Sequence, residues 1–186
     1  EFLDRCKTER EAVSYAITLA EKRGFVPYKY GMEAKPGDKF YRSVRGKALM
    51  LAVIGKKGLD CGVNIAGAHV DAPRLDLKQL PLYESEGVAL GKTHYYGGLR
   101  KYQWATIPLA LHGVVALKDG TTVQVKVGED ESDPVFYISD LLPHLAAKQN
   151  QKPLGNAIEG EQLNIWFGNI PYTAATEDDE KTVKNN

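Results

Sequence analysis

The chain has 186 residues, 43% of them apolar and 26% charged, which is enough to bury a core in one good-sized domain or two small ones. Lys+Arg and Asp+Glu balance at 24 each, so no global basic field points to nucleic acid and no acidic excess dominates. No apolar run approaches the ~20 residues that span a bilayer, and the two cysteines, Cys6 and Cys61, are too far apart for a paired metal or redox motif. Two free thiols suit a reducing cytoplasm.

Residues 4–23 place Ala12/Val13, Ala16/Ile17 and Leu19/Ala20 at helical spacing. Thr8 with Glu11 three residues on predicts a capping box, and Gly24 predicts the stop. FVPYKY and KPGDKFYR are rich in turn formers, with Pro36-Gly37-Asp38 the clearest turn. KALMLAVIG (47–55) and VNIAGAHV (63–70) are short apolar runs bounded by glycine, as expected for strands covered on both faces of an α/β sheet.

The texture then changes. LDLKQLPLYE alternates apolar and polar residues like a half-buried strand. Residues 112–128 form two alternating runs joined by Asp119-Gly120, a hairpin signal. GKTHYYGGLRKYQW reads as a loop, rich in Gly, aromatics and bases, for an anion, a nucleotide or an interface. Residues 138–150 predict a short helix capped by Ser139 or Asp140, and 161–171 a further strand. Residues 1 to about 75 are thus of α/β type, and those from about 76 to 172 are β-rich. The uncapped start and the polar close, ATEDDEKTVKNN, read as cut ends.

His69 and Asp71 head the candidate chemistry. At a strand end, residues i and i+2 point to the same side, and the carboxyl end of a strand in an α/β sheet is where ligands bind. A metal-ligating histidine needs its second ring nitrogen held, often by a carboxylate. Taken alone, His-x-Asp is more often a hydrogen-bonded strand-end histidine beside a solvated aspartate than a metal ligand, because three-residue motifs recur by accident. His94, His112 and His144 carry no motif. Ser-nucleophile, P-loop and dinucleotide fingerprints are absent.

GAHVDAPRLDLK, PLYESEGVALGKTHYYGGLRKYQWATIPLALHGVV and EDESDPVFYISDLLPHLA, in this order and spacing, resemble the aspartyl aminopeptidase/vacuolar aminopeptidase I family of dinuclear zinc exopeptidases, and its bacterial branch most. The resemblance covers nearly the whole chain. It implies an α/β zinc-peptidase catalytic domain whose first part is residues 1–76. A β-rich dimerisation domain is inserted at 77–173, and 174–186 lead back toward the remainder of the catalytic domain.

By the same resemblance His69 ligates one of two zinc ions and Asp71 orients that ligand. The bridging aspartate, a glutamate pair, a further carboxylate and a last histidine are expected downstream of residue 186. The chain as given is therefore expected to hold no complete site. Family members are large symmetric homo-oligomers built from dimers, and they act on the N-terminal residue, acidic or neutral, of peptides. A second histidine after PHLA reaches the neighbouring active site in some relatives. Lys148 stands at that spacing here, with His94 and His144 as further candidates. The alternative from another class is a non-catalytic oligomerisation or regulatory module.

Overall fold

The computed structural model describes residues 1–170, so the expected return linker, 174–186, lies outside the described residues. The chain separates into two compact units, one over Glu1–Ala72 and one from Pro73 onward.

The first unit opens with helices α1 (Phe2–Arg5) and α2 (Glu9–Glu21). The capping box forms as expected: the Glu11 backbone N–H donates to Thr8 Oγ1 at 3.3 Å, and the Thr8 N–H donates to Glu11 Oε2 at 2.9 Å. At the other end Gly24 takes φ +81°. The Gly24 and Phe25 N–H groups close back on the Glu21 and Ala20 carbonyls, the doubled C-terminal cap that favours glycine. Ala12, Val13 and Ala20 form the buried face of α2, which packs on a three-stranded sheet.

In that sheet β1 (Val26–Pro27) runs parallel to β2 (Lys39–Val44), and β2 runs antiparallel to β3 (Ala48–Val53). Arg45 and Gly46, both at positive φ, make the tight β2–β3 turn. β1 and β2 occupy stretches that read mainly as turns. β3 lies where expected but is exposed along most of its length, not covered on both faces.

The second expected buried strand is absent. Among the described residues, 63–70 have no regular secondary structure and are all exposed, Ile65 at 87%. A strand needs a neighbour to take its backbone hydrogen bonds, and no described residue ladders with this segment. A 3-10 turn, Leu59–Cys61, precedes it.

The second unit is built on the antiparallel pair β4 (Arg74–Ser85) and β5 (Val88–Tyr96), with β8 (Ile165–Gly168) on the far edge of β5. Glu86 and Gly87, at φ +53° and +75°, connect β4 to β5. Positive φ at both central residues is the two-residue hairpin turn whose twist matches the strands. A register shift between Leu77 and Leu82 interrupts the ladder.

β6 (Leu111–Ala116) and β7 (Thr122–Val127) form the second hairpin, as Asp119-Gly120 predicted. Ala105, Phe136, Ile138, Ile158, Leu163 and Ile165 make the core, with Phe167 packed against it. Residues 161–171 yield a 3-10 turn, Gly160–Gln162, before the short β8.

The helix expected over 138–150 does not form. Residues 142–146 make one isolated turn, closed by the Leu145 and Ala146 N–H groups on the Leu142 carbonyl, and a 3-10 turn follows at Gln149–Gln151. Pro143 lacks an N–H and disfavours helical geometry at Leu142. Asp140 Oδ1 accepts from the Leu141 N–H at 2.8 Å and from Gln149 Nε2 at 3.0 Å, which ties the segment into a loop.

Candidate metal-binding site

His69 and Asp71 meet without a strand to aim them. Their i, i+2 spacing in irregular backbone brings His69 Nδ1 to 2.9 Å from Asp71 Oδ1. The imidazole is 92% exposed and the carboxylate 28%. An ionised carboxylate can only accept, so Nδ1 donates in this contact, and Nε2 is the ring nitrogen left for another partner. A metal-ligating histidine takes this form, with one nitrogen held and the other presented.

The donor chemistry fits one zinc ligand with its orienting partner and nothing more. Among the described residues no group of three or more His, Cys, Asp or Glu side chains is arranged to hold a metal ion. Cys61 in the same unit is exposed, with its thiol 3.9 Å from Asp60. A structural zinc takes four protein ligands and a catalytic one takes three, so the remaining donors of any complete centre are not among these residues.

The other candidates lie in the second unit. His94 stands on β5 opposite Asp76, exposed, and stacks on Tyr95 with ring centroids 5.4 Å apart. His144 is exposed in the turn after Pro143, and Lys148 is exposed just before the 3-10 turn at Gln149–Gln151. His112 is turned inward, with Nε2 2.9 Å from Glu129 Oε1, a structural pairing at the foot of the β6–β7 hairpin.

The segment read as a Gly-rich loop is half strand. Residues 91–96 belong to β5, laddered to β4 on one side with Gly91 paired to β8 on the other. Those backbone N–H groups therefore do not form a phosphate cradle.

Two ion pairs of this unit had no sequence signature, because one joins residues 83 positions apart and the other, seven apart, is closed by irregular chain and not by helix or strand spacing. Lys78 Nζ lies 2.8 Å from Glu161 Oε2, and Lys152 Nζ lies 2.7 Å from Glu159 Oε1. The Glu161 carboxyl is held below its ordinary value by the Lys78 hydrogen bond first, then by the charges of Lys78, His94 and Lys92.

Comparison with known proteins places the chain. The model of the family described as "Aminopeptidase I zinc metalloprotease (M18)" matches residues 2–186. "Probable M18 family aminopeptidase 1" of Clostridium acetobutylicum is 52% identical over 189 residues, covering 100% of this chain and 40% of that protein. The crystal structure of an M18 aminopeptidase from Thermotoga maritima superposes with a TM-score of 0.87 at 38% identity, over 98% of this chain and 40% of that one.

A solved dodecamer, mApe1 of S. cerevisiae, matches at 25% identity with a TM-score of 0.66, over 97% of this chain and 38% of its own. The chain thus spans about 40% of the length of the Clostridium protein. With a family match over almost its full length, the chain belongs to the M18 peptidases, the aminopeptidase I zinc metalloproteases.

Proposed function

We propose that these residues are the N-terminal part of a zinc aminopeptidase that releases N-terminal amino acids, acidic or neutral, from peptides. The observation that carries this reading is the His69–Asp71 contact, inside a chain that the family description matches from end to end. His69 Nε2 would be one ligand of a dinuclear zinc centre, with Asp71 holding the ring. The other ligands and the general base would come from protein beyond these 186 residues. Zinc, when bound, supplies Lewis acidity at the scissile carbonyl.

In this reading residues 1–76 begin an α/β catalytic domain, 77–173 form an inserted dimerisation domain, and 174–186 return to the first. The division into two compact units between Ala72 and Pro73 supports it. We extend the proposal to assembly through dimers into a larger homo-oligomer, supported by the dodecameric relative. The exposed His94, His144 and Lys148 are the candidates for reaching a neighbouring active site. A cytoplasmic setting fits the neutral charge and two free thiols, and among the described residues no helix is long and apolar enough to cross a membrane.

A second reading, a non-catalytic oligomerisation or regulatory module, draws on the lack of a donor cluster among the described residues. One experiment separates the two. The full-length protein and its His69→Ala variant are assayed for zinc content and for hydrolysis of aminoacyl anilides, with and without chelator. The aminopeptidase reading expects chelator-sensitive turnover and its loss, with loss of zinc, in His69→Ala. Full turnover in that variant removes His69 as a ligand. A full-length protein with no peptidase activity at any zinc level would favour the module.

A further inference from the structure

Away from His69 and Asp71, the second unit carries a groove of about 490 Å³, walled by Lys101, Lys152, Pro153, Asn156 and Glu159 over Ile158. The size falls within the range of small-molecule sites. Its floor is firm, because Ile158 belongs to the hydrophobic core and is only 6% exposed.

The two ammonium groups on its rim are held, not loose. Lys101 Nζ sits over the Tyr95 ring, 5.4 Å from its centroid. Tyr95 in turn presses on Gly160, where a Cβ would come within 2.7 Å of the ring, so glycine is required for this packing. Lys152 is fixed by Glu159, and Glu159 is fixed by its place at the head of the 3-10 turn Gly160–Gln162, where its N–H donates to Gln162 Oε1 at 2.8 Å.

Both lysines act on the same carboxylate. Glu159 is held below the ordinary carboxyl range by its hydrogen bond to Lys152 first, then by the charges of Lys152 and Lys101. Two cations against one anion leave the groove with an uncompensated positive charge, and no carboxylate lies within ion-pair distance of Lys101 among the described residues.

We propose that this groove is a binding site for a small carboxylate with an apolar body, in the manner of the C-terminal end of a peptide or a free amino acid. The carboxylate would sit between Lys101 and Lys152, with the apolar body over Ile158 and Pro153. A charge-assisted contact at a partly desolvated rim with an apolar floor selects such a molecule over a bare anion. The site involves neither His69 nor Asp71, so it stands or falls separately from the aminopeptidase reading.

The test is calorimetric titration of the full-length protein, in the presence of chelator, with three probes: N-acetyl-leucine, leucinamide and inorganic phosphate. Wild type and His69→Ala should bind N-acetyl-leucine saturably with the same Kd. Lys101→Gln should weaken it tenfold or more, Lys152→Gln should do likewise, and leucinamide should not bind. Circular dichroism and melting temperature establish that each variant is folded, and Lys101→Gln serves if Lys152→Gln is not. Unchanged binding in Lys101→Gln overturns the proposal. So does loss of binding in His69→Ala alone, which would put the ligand at the metal centre. Phosphate binding as tight as N-acetyl-leucine would also refute the site as described, by reducing it to a general anion patch.

Discussion

Asp71→Asn separates a part in holding metal from a part in holding the fold. Asparagine keeps the shape and leaves an oxygen that can still accept from His69 Nδ1, 2.9 Å away, but it removes the charge. A charge-assisted hydrogen bond is about twice as strong as a neutral one, so about 1 kcal/mol of ring-orienting interaction is lost. With the imidazole 92% exposed, solvent screens that loss in the folded chain. The expected change in unfolding free energy is below ~1 kcal/mol, as for exposed ion pairs.

The loss weighs more when His69 carries a metal. Ligand-orienting carboxylates typically contribute 10- to 100-fold in metal affinity or activity, or about 1.4–2.7 kcal/mol. In the full-length protein Asp71→Asn should therefore raise the zinc Kd and lower kcat by that factor, while the urea midpoint hardly moves. Zinc affinity is read by competition with a chromophoric chelator, and kcat by initial rates at saturating substrate and zinc. A variant with wild-type zinc Kd and kcat would refute the orienting role. A loss of several kcal/mol in stability would show that Asp71 serves the fold instead.

Leu163, at 0% exposure, sits in the core of the second unit. Leu163→Ala should cost about 2–5 kcal/mol by urea denaturation of the chain, and a loss under ~1 kcal/mol would mean the site collapses around the smaller residue. Asp133 accepts from the Gly128 and Asp130 N–H groups, which hold its carboxyl below the ordinary value of 3.8. A depressed folded value means this stabilisation is complete above the unfolded value and fades as pH falls through the folded one. The gap in urea midpoint between wild type and Asp133→Asn should accordingly hold steady from neutral pH down to about 4 and narrow in more acid solution. A gap that does not depend on pH would contradict the assignment.

Which elements could be read in advance follows from the range of the forces behind them. The capping box of α2 needs only Thr8 and Glu11, and the β6–β7 turn needs only Asp119 and Gly120, so a few neighbouring residues announce each. β5 stayed hidden because two of its inward positions are Gly91 and Thr93. They are buried for reasons from elsewhere in the chain: a Cβ at Gly91 would collide with the Phe167 ring, and the Thr93 hydroxyl donates to the Leu163 carbonyl. The helix expected over 138–150 failed for the opposite reason. Ser139 and Asp140 read as caps, but Pro143 removes a backbone donor, and the Asp140 carboxylate takes the Leu141 N–H and the Gln149 side-chain amide instead of capping a helix.

The same division runs through the functional sites. His-x-Asp spacing is local, and it brings imidazole and carboxylate together even where the expected strand is missing, since side chains two positions apart can meet without a partner segment. The groove of Lys101, Lys152 and Glu159 left no trace in the linear order, because packing around Ile158 and Tyr95 gathers it from separate segments. Residues 63–70 show the limit from the other side. Their composition favours a strand, but a strand exists only where another chain segment completes its hydrogen bonds, and among the described residues none does.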